Sequence, residues 1–416
     1  MRRDDAPASG SRRSVPAIVV GAGPAGLATS WHLRSLGVGH VVLERDTVGA
    51  TWRSRWDSFT LVTPTWSVRL PGRPGHSGDP DGFLTRDQFV ELLDSYARDA
   101  DLPVRRGVEV LSLRRDGAGY RLATSEGDWS ARAVVIAAGA RREPRVPAGI
   151  EPQPGLTTVH AVDYRRPEQL PPGAVLVVGS GQSGTQIADG LRRAGRRVFL
   201  ATSPVGRVPR RYRGRDVFAW LRDTGFLDLP TEQAPAEVIR APQPAVSSVR
   251  TLALQQLARE GVTLLGRLTG AENGRLFFAG DLAHNMRIAD EFSERFRERV
   301  DAHLREHPDP SLPEPAADPS ERPLAAAPPT PAELDIAAEG ISTLLFCTGM
   351  RPDTGWLPDA LRDANGALKH ERGVTPCPGV HAVGIPWMTH RASGVLYGIG
   401  TDAARTAERV RDHLRP

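Results

Sequence analysis

Two glycine-rich turns constrain this chain more than any other feature. The first lies in "AIVVGAGPAGLATSWHL" (17–33) and the second in "VLVVGSGQSGTQIADGL" (175–191). Each follows an apolar run that reads as a buried strand, and each opens a run with helical spacing. Gly21, Gly23 and Gly26 in the first, and Gly179, Gly181 and Gly184 in the second, spell G-x-G-x-x-G. The first glycine permits the tight turn, the second lets the backbone approach a pyrophosphate, and the third lets helix and strand pack closely. The helix N-terminus then offers free N–H groups to phosphate oxygens. A chain with two such units, 158 residues apart from Gly21 to Gly179, is an α/β protein with two Rossmann-like dinucleotide-binding domains.

The residues about twenty positions on distinguish the ligands. Glu44 ends the strand "HVVLE", 23 residues after Gly21. A carboxylate there accepts both hydroxyls of an adenosine ribose, a charged hydrogen bond that contributes about 1.5–3 kcal/mol. After the second turn the strand "RRVFLATS" ends in Thr202 and Ser203, followed by Arg207 and Arg210. Hydroxyls and guanidinium groups suit a 2′-phosphate, which a carboxylate would repel. NADPH rather than NADH is therefore expected at the second turn.

The rest of the chain is placed around these units. Residues 1–15 read as a disordered tail with no apolar stretch of the kind a secretion signal carries. Residues 16–165 form the first part of one domain, 166–340 a second domain with a Pro/Ala-rich excursion at 307–333, and 341–416 a return to the first. "TRDQFVELLDSYARDA" (85–100) predicts a helix capped by Thr85, and 398–414 a final amphipathic helix. The segment 51–82 is irregular and rich in Trp, Pro and Gly. No apolar run approaches the ~18 residues needed to span a bilayer, so no membrane contact is expected and the cytoplasm is the default compartment. The formal net charge is +4, but the arginines are interleaved with acids and form no basic block, which argues against nucleic acid. Cys347 and Cys377 are the only cysteines. Their spacing offers no CxxC redox pair and no zinc pattern, and no metal site is expected.

With these residues in view, the chain resembles the flavin-containing monooxygenases, the single-chain class that uses FAD and NADPH. "GATWRSRWDSFTLVTP" (49–64) is similar to the family's flavin loop. "VVIAAGARREP" (134–144) and "LLFCTGMRPD" (344–353) are similar to its two A-T-G turns, and "GLTTVHAVDYRRP" (155–167) to its H-x-x-x-Y signature. The resemblance implies an FAD domain interrupted by an NADPH domain. It implies flavin contacts from Pro24, Ala25, Arg45, Thr51, Trp52, Arg53, Thr63, Val110, Ala138 and Gly139, and NADPH contacts from Ser180, Gln182 and Ser183. It also implies that reduced FAD meets O₂, forms a C4a-(hydro)peroxyflavin, and passes one oxygen atom to a small organic substrate, by N-hydroxylation or S-oxidation for example. A pure NADPH dehydrogenase serving a quinone or protein acceptor is the alternative. Val62 aligns where animal-type members carry Asn, so no catalytic side chain is assigned. Tyr164 stands where Baeyer–Villiger enzymes carry Trp. His160 is read as a structural or hinge residue, and a homodimer is a further expectation.

Overall fold

Seven strands form the first sheet. In the computed structural model, which describes residues 13–416 except 74, 76, 77, 140–142, 152 and 327, its order is Val104–Arg106, His40–Glu44, Arg13–Val20, Gly127–Ile136, Gly119–Thr124, Val110–Asp116, with Val380–Ala382 also on Gly127–Ile136. The ten-residue strand Gly127–Ile136 pairs with Arg13–Val20 along one edge and serves two neighbours along the other. Its first half runs antiparallel to Gly119–Thr124, and its last three residues run parallel to Val380–Ala382. Ala17, Ile18 and Val19 are fully buried, as a strand covered on both faces requires.

The second sheet is wholly parallel, in the order Thr263–Leu265, Val198–Ala201, Ala174–Val178, Ile341–Phe346, Thr157–His160. Two of these strands move the expected domain limits. Thr157–His160, assigned to the first domain, and Ile341–Phe346, assigned to its return, both pair inside the second sheet. The crossings therefore lie outside these strands. The expected tail is shortened too, because Arg13 and Ser14 already pair with Trp129 and Ser130; residues 1–12 lie outside the described residues.

The helix Arg86–Asp99 begins at Thr85 with a capping box, in which Thr85 and Gln88 each bond the other's backbone. Helix Pro24–Ser35 packs against helix Ile399–Leu414. The part after residue 204 carries defined elements. It holds a hairpin, Leu268–Glu272 and Arg275–Phe278, turned by Asn273 and Gly274, both with positive φ, as a two-residue hairpin turn demands. The long helix Leu282–Glu306 follows. No helix among the described residues is long and apolar enough to cross a membrane.

His381, in the strand Val380–Ala382, is 7% exposed, and neither ring nitrogen has a hydrogen-bond partner. Burial, reinforced by Arg409 and His413, pushes its pKa down to about 4. The unfolded chain binds this proton near pH 6.5, so stability is complete above that pH and falls as the pH drops toward 4. The expected loss is up to about 3 kcal/mol. Urea denaturation at neutral and acid pH checks this: the His381→Leu variant should show a correspondingly smaller change, and an equal change in both proteins would refute it.

Candidate active site

The two glycine turns have the same construction. Gly21 and Gly179 hold φ of +107° and +104°. A Cβ on Gly21 would meet the Ala137 carbonyl oxygen at 2.6 Å, and one on Gly179 the Cys347 carbonyl oxygen at 2.8 Å. A Cβ on Gly26 or Gly184 would overlap the carbonyl oxygen of Gly21 or Gly179 respectively. At the middle glycines, Gly23 and Gly181, nothing of the protein lies within 4 Å. Outer glycines are thus required by packing, while the middle ones leave the open approach that a pyrophosphate needs.

Glu44 stands beside the first turn. Its carboxylate accepts from the Ala22 N–H at 2.7 Å and the Asp46 N–H at 3.0 Å, and it lines a cavity of about 1120 Å³. Gly21, Gly23, Pro24, Ala25, Arg45, Thr51, Trp52, Thr63, Val110, Ala138 and Gly139 line the same cavity. Arg45 is held by Glu109 at 3.1 Å. Trp52 meets Phe89 edge to face at 4.8 Å. Arg53 is different: it is exposed and does not line the cavity. The helix Ala50–Arg53 is a single turn, and its winding sends Arg53 outward while Thr51, Trp52 and, beyond it, Arg55 face in.

Gln182 of the second turn opens on this cavity as well. Gly179, Ser180, Gly181, Ser183 and Gly184 do not line it, and Ser180 is engaged with Ser203, which donates its N–H to the Ser180 hydroxyl at 3.0 Å. Beyond Val62 and Thr63 the cavity runs into an apolar chamber walled by Phe218, Leu221, Val246, Phe292 and Phe296. Sequence reasoning assigned no individual residue there, because these come from three separated stretches. Gly384 was also missed. It follows a strand, has φ of +78°, and a Cβ there would strike the Ala25 Cβ at 2.6 Å, so a glycine after "HAV" was a readable signal. Trp387 holds a left-handed backbone, φ 57°, a conformation that costs a non-glycine residue about 1–2 kcal/mol.

His160 is 7% exposed. The Val162 N–H donates to its Nδ1 at 3.3 Å, so Nε2 carries the proton and donates to the Gly349 carbonyl at 3.2 Å. Burial lowers its pKa and keeps this neutral form. It ties the crossing to the second A-T-G-like turn, in keeping with a structural or hinge role.

The profile of the pyridine nucleotide-disulphide oxidoreductases matches residues 18–222. An uncharacterized oxidoreductase CzcO-like protein from Geobacillus kaustophilus is 27% identical over 96% of this chain and 99% of its own. The indole-3-pyruvate monooxygenase YUCCA1 of Oryza sativa is 36% identical over 52% of this chain and 55% of its own. A flavin-containing monooxygenase from Stenotrophomonas maltophilia shares the fold, with a TM-score of 0.65 over 97% of this chain and all of the other, at 18% identity. Just under half of the chain thus matches the pyridine nucleotide-disulphide oxidoreductase family. The chain is a flavin-dependent oxidoreductase related to the class B monooxygenases.

In this oxidoreductase the two cysteines are unpaired. Cys347 packs on one hydrophobic cluster and Cys377 on another, and burial raises the pKa of the Cys347 thiol. A buried thiol held in its neutral form is a poor nucleophile for disulfide exchange.

Three of the four expected readers of the 2′-phosphate are turned inward. Arg207 is 3% exposed and is held by Asp290 at 2.8 Å and Glu321 at 3.0 Å. Arg210 is 2% exposed, is paired with Asp216, and donates to the Val62 and Ser247 carbonyls at 2.9 Å. Thr202 is 1% exposed and donates to the Leu265 carbonyl at 2.7 Å. Only Ser203 keeps a half-buried, outward position. The arginines are pulled in because acids from distant segments meet them there. The Pro-rich excursion is corrected by the same contacts, since Glu321, within it, also accepts from Ser293 at 2.7 Å and pairs with Arg297. Arg207 is accordingly expected to act on stability and not on coenzyme choice. Glu321→Gln and Arg207→Glu should lower the denaturation midpoint, the latter by about 3 kcal/mol or more. The ratio of KM values for NADPH and NADH should stay that of the parent in Glu321→Gln; a selective rise for NADPH would restore the phosphate-binding role.

Proposed function

We propose that this chain is a single-component FAD-dependent monooxygenase that uses a reduced pyridine nucleotide, NADPH in the pattern of the family it resembles. The reaction consumes substrate, O₂, NADPH and a proton, and yields oxygenated substrate, NADP⁺ and water. The observation that carries this reading is a shared cavity: the cradle of the first turn, Gln182 of the second, and an apolar chamber all open on the same space. FAD, when bound, supplies the relay of two electrons from nicotinamide to oxygen.

The chain's own residues bind, orient and exclude water. Gly23 leaves the pyrophosphate room and Glu44 takes the adenosine ribose. Gly384 lets its loop pack directly on Ala25 at the edge of the cradle. Val62, Thr63 and Leu61 form the near wall of the chamber. An apolar lining keeps water from a reactive centre and so favours oxygen transfer over loss as peroxide. No side chain is assigned a proton-transfer role.

Purified protein should be yellow and should consume NADPH and O₂ in equal amounts with a competent substrate. Labelled dioxygen should place one labelled atom in the product, read by mass. If every electron pair instead appears as hydrogen peroxide, or passes anaerobically to a quinone with no oxygenated product from any substrate, the chain is a dehydrogenase.

A further inference from the structure

At the far end of the chamber, two cations stand over one ring without an acid. Arg299, from the long helix, lies 4.5 Å over Phe226. Arg391, from the loop before the last helix, lies 5.8 Å from the same ring and 5.4 Å from Trp387. Phe226 and Trp387 meet edge to face at 6.4 Å. All four residues line the cavity. Arg391 donates to the Gln243 side chain at 2.8 Å, and that is a neutral partner.

Among the described residues neither guanidinium has a carboxylate within ion-pairing distance, whereas Arg207, Arg210 and Arg250 each have one. Glu237 is one of the acids in the cavity lining. It is exposed and pairs with neither arginine. Arg295 adds a third cation, 5.6 Å from the Phe292 ring. The other acids of the lining, Glu44, Asp46, Glu109, Asp163 and Asp353, belong to the dinucleotide cradle and the crossings. Arg391 is half-buried and Arg299 is exposed at the outer edge of the cavity, and partial desolvation lowers the pKa of both.

A guanidinium does not escape this cost by losing its proton. The aromatic faces recover about 0.5–2 kcal/mol each, less than a charged partner supplies. The missing partner is an anion, and the surrounding chamber is apolar. The fork of an arginine matches a carboxylate with two parallel hydrogen bonds. Arg391 also sits in the loop whose Gly384 end adjoins the flavin cradle, so an acid anchored there lays its apolar body between the anchor and the cofactor.

The geometry points to a small organic acid as the substrate class, its carboxylate held by Arg391 and Arg299 and its apolar body lying in the chamber. This rests on the reading of the chamber as the substrate site of a flavin enzyme.

The test measures binding, not turnover. Purified holoprotein is titrated with phenylacetate, phenylpropionate and decanoate, and with the amide of each, by the flavin difference spectrum and by calorimetry. At least one acid should bind about tenfold tighter than its amide. Arg391→Met and Arg299→Met should each remove that preference by weakening the acid, leaving the dissociation constants of the amide and of NADPH unmoved. Arg391→Lys should keep part of it. Flavin content and Tm establish that each variant is folded, and Arg299, on the solvent side of its helix, tolerates replacement even where Arg391 does not. Equal affinity for acid and amide in all three pairs, no binding of any acid at millimolar concentration, or a preference that survives both methionine variants overturns the proposal. So does weakening of NADPH in place of the acid, which would give these cations to a coenzyme phosphate. Acid binding that responds to the variants without any oxygenated product would sink the monooxygenase reading and leave this one standing.

Discussion

Replacing Gly184 with alanine should abolish the second dinucleotide site and most of the folded protein with it, while the same change at Gly181 should leave the fold intact. The new methyl at 184 would overlap the Gly179 carbonyl and press on the Cys347 side chain at 3.3 Å. The obstructing atom is backbone, so it cannot swing away; the helix Gln182–Arg193 has to separate from the strand Ala174–Val178. The cost is about 3 kcal/mol or more, in a unit whose strand is completely buried. At Gly181 nothing lies within 4 Å, so Gly181→Ala should keep its Tm. Its methyl instead occupies the approach of the pyrophosphate, and KM for NADPH should rise about tenfold or more. Flavin content should be unchanged, because the proposed flavin site lies at the other turn. Loss of FAD from Gly181→Ala would overturn the assignment of ligands to turns. Normal folding of Gly184→Ala would overturn the packing argument.

Arg210→Met should destabilise the protein by about 3–5 kcal/mol. The change leaves the Asp216 carboxylate 4% exposed with no countercharge. Asp216 also caps the helix Val217–Asp223 by accepting from the Phe218 N–H at 2.8 Å, so the helix that roofs the chamber loosens with it. Two further effects follow from the position of the guanidinium. It holds the Val62 carbonyl at 2.9 Å and stacks on Phe83 at 4.9 Å, so it links the flavin loop to the roof. Flavin should therefore dissociate more readily from the variant. Urea denaturation and the absorbance ratio of bound flavin to protein give both quantities. The double variant Arg210→Met, Asp216→Leu separates them: removing both charges should recover much of the stability, as replacing a whole buried pair by apolar groups usually does, without restoring the grip on Val62. A single variant as stable as the parent would show that the pair carries no such role.

How much of this was legible depends on how local each cause is. The capped helix after Thr85 was readable because its capping box is made by residues three apart. Asn273–Gly274 is equally local, a two-residue hairpin signal between two short strands. The strand Ile341–Phe346 falls in the segment read as the return to the first domain, yet it pairs in the second sheet. An apolar run states that it is covered on both faces; it does not state by which neighbours. The same holds for Thr157–His160. Arg53 was misplaced for a different reason: a one-turn helix has no periodicity long enough to tell its inner face from its outer one.

The sequence by itself determined the two dinucleotide turns and the acid at the end of the first. In each turn the third glycine is required by a carbonyl only five residues earlier, and Glu44 meets the first turn across adjacent strands of one βαβ unit. Such constraints are written in short-range backbone geometry. Tertiary structure alone decided what the charges do. Arg207 and Arg210 read as phosphate ligands while their neighbours in sequence were all that was known. The acids Asp290 and Glu321, 83 and 114 residues beyond Arg207, draw it inward, and Asp216 holds Arg210. Arg299 and Arg391 had no signal in the sequence, since what sets them apart is the lack, among the described residues, of the acid partner that Arg207, Arg210 and Arg250 have. A charge acts over distance and is cancelled by whatever the fold brings near, so its role is settled by packing and not by position in the chain.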